Sequence, residues 1–131
     1  MTLTLALLVT ALLFGGMVLY SFGFAAFLFT ALPAPQAGPV IRRAFPHFYL
    51  FVLASAAVAA GLLAEHDGLS ALLLAAVALT VIPARQVLMP AINAATDAGD
   101  RRRFAVLHGA SVAITLAHIG AAGVVLARFL P

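Results

Sequence analysis

Leu3–Leu32 reads LTLALLVTALLFGGMVLYSFGFAAFLFTAL and contains no charged residue. A helix rises 1.5 Å per residue, so about 20 apolar residues cross the ~30 Å hydrocarbon core of a bilayer. This run exceeds that length. It is also longer than the core of a signal peptide, and Met1-Thr2 places no basic segment ahead of it. It is therefore expected to stay in the protein as a spanning helix.

Three more runs follow: Phe45–Ala64, Leu69–Ile92 and Phe104–Ala127, the third span being interrupted by Pro83, Arg85 and Pro90. Of the 131 residues, 65% are hydrophobic and 8% charged, and the mean hydropathy is +1.17. A soluble domain is about a quarter charged. Seven basic and four acidic residues cannot cover a polar exterior of this size, so the remaining surface must face lipid. The fold class expected is an all-α integral membrane protein, a single domain over residues 1–131 forming a four-transmembrane-helix bundle.

The connections between the runs are short. Pro33-Ala34-Pro35 ends the first helix, because proline lacks an amide and disfavours helix in the residue before it. Gly38-Pro39 is expected to open a brief interfacial segment carrying Arg42 and Arg43, with Pro46 kinking or restarting the chain into the second span. Glu65-His66-Asp67-Gly68 reads as a tight turn, and Thr96–Arg103 as the last connection. Asp97 and Asp100 are expected near the start of the fourth helix, where carboxylates suit the helix dipole. Packing is expected to run through small residues: Gly16 and Gly23, Ala57 and Gly61, then Ala110, Ala113, Ala117, Gly120 and Ala121.

Charge sets an orientation. With four spans, the first and third loops share a side and hold Arg42, Arg43, Arg101, Arg102 and Arg103. The opposite side holds Arg128 and the acidic turn. The positive-inside rule then places both termini outside and the Arg-bearing loops in the cytoplasm. The net charge of +3 sits at span boundaries rather than in a nucleic-acid-binding patch. Cysteine and lysine are both absent, which removes disulfides, thiolate metal sites, cysteine nucleophiles and Schiff-base chemistry. Arg-only basicity with heavy alanine usage suggests a GC-rich bacterial genome, hence a multi-pass protein of a bacterial inner membrane.

A few polar residues stand inside the runs. Arg85 follows about sixteen apolar residues of the third span, toward the Arg-bearing boundary. An arginine at mid-membrane costs ~2.5–3.5 kcal/mol, and no acidic residue occurs within a run to pair with it. Pro83 and Pro90 free the carbonyls of Leu79 and Gln86 as acceptors. The reading of Arg85 is open between an anchor among headgroups and an internal cation for a phosphate or carboxylate. His108, Ser111, Thr115 and His118 share a stripe on the fourth helix, readable as an interhelical hydrogen-bonding seam or as the lining of a polar path. His47 stands beside Phe48 and Tyr49, either in an interfacial aromatic belt or in a site. His47, Arg85, Asn93 and His108 fall in the Arg-bearing half of the bilayer.

Leu32-Pro33-Ala34, Ala37-Gly38, Arg42-Arg43 and His47 run parallel to Met89-Pro90-Ala91, Ala98-Gly99, Arg102-Arg103 and His108. Such an echo makes the chain two parallel helical hairpins. His47 and His108 would then be equivalents, able to ligate one haem or metal ion, with Arg85 holding an anionic group.

Leu32-Pro33 with Ala37-Gly38, Phe45-Pro46-x-Phe48-Tyr49, Pro90-Ala91 and Phe104-x-x-x-His108-Gly109-x-Ser111 resemble the transmembrane protein 205-like family, also called domain of unknown function 4149. The resemblance runs from about Gly15 to Thr115. It implies a four-helix membrane protein without an established biochemical activity. A eukaryotic relative is linked to platinum-drug resistance, which implies handling of metals or drugs at the membrane. The family is also distantly similar to small four-helix proteins of copper uptake and haem biosynthesis. This chain has neither their histidine in the first helix nor a Met-rich motif, since Met1, Met17 and Met89 are scattered.

Three functions follow as expectations. One is a haem- or metal-associated protein using His47, His108 and Arg85. Another is a small transporter or permeation subunit lined by His108–His118. The third is a non-catalytic subunit of a homo-oligomer or larger membrane complex. No phosphate loop, carboxylate pair or Ser–His–Asp set marks an enzyme.

Overall fold

A computed structural model of the chain describes residues 1–130. They form four long helices: α1 (Thr2–Ala31), α2 (Ala34–Leu63), α3 (Gly68–Asp97) and α4 (Arg101–Ala127). Each is long and apolar enough to cross a membrane. At 1.5 Å per residue they reach about 40–45 Å, more than the hydrocarbon core requires. In up-and-down order, α1 packs against α2 and α4, and α3 packs against the same two. That leaves α1 and α3 on one diagonal, α2 and α4 on the other. One end of the bundle holds the α1–α2 and α3–α4 turns together with five arginines; the other holds the first residues, the α2–α3 turn and Arg128.

The turns are built by capping. Only Leu32 and Pro33 separate α1 from α2, and Pro35 sits in the first turn of α2, where its missing amide has no partner to lose. Asp67 caps α3, accepting from the Ser70 amide at 3.2 Å and the Ser70 hydroxyl at 2.6 Å. At the end of α3 the Asp100 amide donates to the Ala95 carbonyl and the Gly99 amide to that of Thr96. This paired closure needs a left-handed residue, supplied by Gly99 at φ +67°. Asp100 then caps α4 by accepting from the Arg103 amide at 3.0 Å.

Two expectations about the ends are corrected. The segment from Gly38 to Pro46 is no separate interfacial piece: α2 runs unbroken through Pro39 and Pro46. Both prolines lie in its first half, and the residues whose carbonyls they orphan, Pro35 and Arg42, are exposed, so water and headgroups can satisfy them. Asp97 does not begin α4. It ends α3, where the dipole disfavours a carboxylate, and Arg42 offsets this with a two-point contact at 2.8 and 3.2 Å.

Inside two helices the backbone widens to a π-helical turn, over Leu19–Phe24 in α1 and Ala84–Leu88 in α3. The Ala25 amide reaches back five residues to Tyr20, and the Met89 amide to Ala84. In α3, Pro90 cannot donate to Gln86 and its ring crowds that carbonyl, which a wider turn relieves. The bulges start 17 residues after Thr2 and 16 after Gly68, matching positions in the two hairpins. This correspondence supplants part of the sequence echo, because Pro33 lies between helices whereas Pro90 lies within one.

The core concentrates away from the arginines. Ala6, Leu13, Val52, Ala56, Ala59, Leu63, Leu74, Val81, Ala122 and Val125 are buried there. Gly16 lets the Phe51 ring approach to 2.6 Å from where a Cβ would stand. Ala121 also packs against this core, but most of the other small residues behave differently from expectation. Ala57, Gly61, Ala110, Ala113, Ala117 and Gly120 are exposed, while Ala56, Ala59 and Ala122 make the contacts. Many small residues satisfy the spacing, and only the helix rotation selects among them.

Candidate functional site: the arginine-bearing half

Past the bulges the bundle divides. Beyond Val18, α1 stays with α2, and beyond Pro83, α3 turns to α4. The first pair is held by aromatic packing: Tyr20 stacks on Phe48 at 4.9 Å and meets Phe45 edge-on at 5.6 Å. Between Arg101 and Ala117, α4 buries no residue. The hydroxyl of Ser21, inside the α1 bulge, is buried without a hydrogen-bond partner among the described residues.

Arg85 occupies the α3 bulge, half-buried, and its Nε donates to the Pro46 carbonyl across the α2–α3 seam at 3.3 Å. The expected acceptors, the carbonyls of Leu79 and Gln86 on its own helix, are not the ones used. Asn93, about two turns further along α3, is half-buried.

The stripe on α4 divides in the same way. His118 is buried and its Nε2 lies 2.8 Å from the Thr80 hydroxyl, which also donates to the Ala76 carbonyl at 2.6 Å. Ser111 stands 3.4 Å from the Tyr49 hydroxyl, at the long limit of a hydrogen bond. This contact crosses the diagonal between α2 and α4. Thr115 joins Ser111, Tyr49, His118 and Met17 around the centre of the bundle, in a gap too narrow for a water molecule. For Ser111 and His118 the geometry is that of an interhelical seam.

His108 does not belong to that seam. It is exposed and stacks on Phe104 one turn earlier, ring centroids 5.2 Å apart and nearly parallel. His47 is exposed as well. The Tyr49–Ser111 contact puts the two histidines at nearly the same depth, yet on diagonal helices and away from the central gap. Among the described residues no group of three His, Cys, Asp or Glu side chains could hold a metal ion. Both histidines are thus exposed on separate helices and neither lines the central gap.

Tyr49, Thr80, Asp97 and the Pro46 carbonyl are the partners that sequence reasoning missed. Only Thr80 carried a usable signal, being a polar residue within the third span.

At the opposite end, Arg128 donates through Nε and Nη2 to the two Asp67 oxygens at 2.8 and 2.9 Å, and through Nε to Ser70 at 3.2 Å. The Arg128 and Ser70 hydrogen bonds hold the Asp67 carboxyl well below the usual carboxylate range, and Asp67 in turn raises Arg128. This cluster locks the ends of α3 and α4 together; every strong acceptor in it is already used.

No curated protein and no solved structure matches the chain significantly. The family described as "Domain of unknown function (DUF4149)" matches residues 8–101, which takes in most of α1, all of α2 and α3, both bulges and Arg85 but ends before His108. With most of its length matched, the chain belongs to that DUF4149 family.

Proposed function

We propose that this chain is a non-enzymatic membrane protein that holds the acidic group of a membrane ligand at Arg85. The observation that carries the reading is the guanidinium's position inside a span with a single carbonyl partner and no carboxylate among the described residues. One neutral acceptor serves one of the five N–H donors of an arginine. A phosphate or carboxylate would take two more in a fork, and such charge-assisted bonds are about twice as strong as neutral ones. Arg42, Arg43, Arg101, Arg102 and Arg103 at the same end support a cytoplasmic placement for it, with both termini outside, in a bacterial inner membrane.

Intact-complex mass spectrometry of protein extracted in a mild neutral detergent tests this. An acidic adduct is expected on the natural sequence, lost in Arg85→Gln and kept in Arg43→Gln. An adduct that survives Arg85→Gln, or none at all, overturns the reading.

A further inference from the structure

We infer that the ligand of Arg85 reaches it sideways from the bilayer, through the seam where α3 leaves α2, and is therefore an amphiphile with an oxyanion headgroup. The inference rests on the reading of Arg85 given above and adds the route and the ligand class. Three observations carry it.

The route through the packed half is closed. Met17, Phe48, Tyr49, Val52, Val81 and Ile114 close the centre of the bundle so tightly that not even water fits. A hydrated anion cannot reach Arg85 through that half, and stripping its water in hydrocarbon is prohibitive.

The seam, in contrast, is held by little. Up to Pro83, α2 and α3 pack closely; from the bulge onward α3 packs on α4. Two side-chain ties cross from α2 to α3 in this half: Arg85 to the Pro46 carbonyl, and Arg42 to Asp97. They are twelve residues apart on α3, about 18 Å of helix, and four apart on α2, about 6 Å. The Arg42–Asp97 pair is 40% and 64% exposed at its side chains, so it is solvated and exchanges readily. It acts as a latch over an opening whose floor is the Arg85 guanidinium.

The surroundings suit a tail. Leu50 on α2 and Val87 on α3, both within four residues of the Arg85–Pro46 contact, are exposed apolar surface. An acyl chain lying in the bilayer needs no cavity within the protein. It needs a headgroup site at this depth, open to one side.

The absence of cysteine allows a direct test. Purified protein in neutral phosphatidylcholine vesicles is given palmitate or phosphatidylglycerol in one arm, and inorganic phosphate or acetate in the other. The Arg42→Cys/Asp97→Cys variant is compared before and after bridging with a reducible bis-methanethiosulfonate. Binding of the amphiphiles but not the water-soluble anions is expected. Loading scales with the fraction of time the seam is open, so the bridge should slow it about tenfold or more, with recovery on reduction. Asp97→Asn, which frees the latch without a bridge, should load faster than the natural sequence. Equal binding of phosphate or acetate, or loading indifferent to the bridge and to Asp97→Asn, overturns the lateral route while leaving the Arg85 site standing. Binding of no probe overturns both.

Discussion

In the half of the bundle away from the arginines, Ala6, Leu13, Leu74 and Val125 are completely buried, and a polar cluster of Asp67, Ser70 and Arg128 ties two helix ends together. In the other half α4 buries no residue from Arg101 to Ala117, and two ties carry the α2–α3 seam. The same four helices pass through both. The change comes at the π-bulges, beyond which the four-helix contact gives way to two hairpins. In lipid, helices associate by close packing and hydrogen bonds rather than by hydrophobic drive. The α2–α3 seam, which gives up packing there, is therefore held by its polar contacts, and those can be exchanged for contacts with a ligand.

The largest expected effect comes from emptying the packed half. Leu74→Ala should lower stability by about 2–5 kcal/mol, since the cavity cannot be refilled by a rigid neighbour. Val106→Ala, on the exposed part of α4, should stay within about 0.5 kcal/mol. Unfolding in detergent by a denaturing surfactant reads both, and similar losses would erase the distinction between the halves. Gly16→Val comes next: the Phe51 ring must move, at a cost of about 1–3 kcal/mol.

Thr80→Val removes the His118 partner and should cost about 0.6 kcal/mol, at most about 1.7, as interhelical hydrogen bonds in membranes do. The smallest effect is confined to acid. Because Asp67 titrates lower in the folded protein than in the unfolded chain, its contribution is complete above the unfolded pKa of about 3.9. It fades as pH falls below that. Asp67→Asn should therefore flatten the pH dependence of the melting temperature below about pH 4 and leave its course above that unchanged. An unchanged acid slope would mean that the cluster does not tie the ends.

Much of this is legible in the sequence, and for a physical reason. Hydrocarbon permits only apolar helices of sufficient length, so Leu3–Leu32 and its three successors were fixed by composition and length. Capping was partly readable: Asp100 does what its position foretold, but Asp97 belongs to the helix before it. Pro39 and Pro46 misled because a proline breaks a helix only where the orphaned carbonyl finds no other partner. The site was less legible still. Arg85 announced itself by its cost, yet its partner is a backbone carbonyl 39 positions away in sequence, and carbonyls carry no sequence mark. His47 and His108 share a level in the bundle but are both exposed, since rotation about a helix axis is set by packing that spacing alone does not encode.

Thermal unfolding of the detergent-solubilised protein, with and without phosphatidylglycerol, tests the central claim about Arg85 most directly. A ligand bound only by the folded state stabilises by about 2.7 kcal/mol at a hundred times its dissociation constant. The natural sequence and Leu74→Ala should both gain melting temperature on adding the lipid, from different starting points, while Arg85→Gln gains nothing. An equal gain in Arg85→Gln would contradict the account.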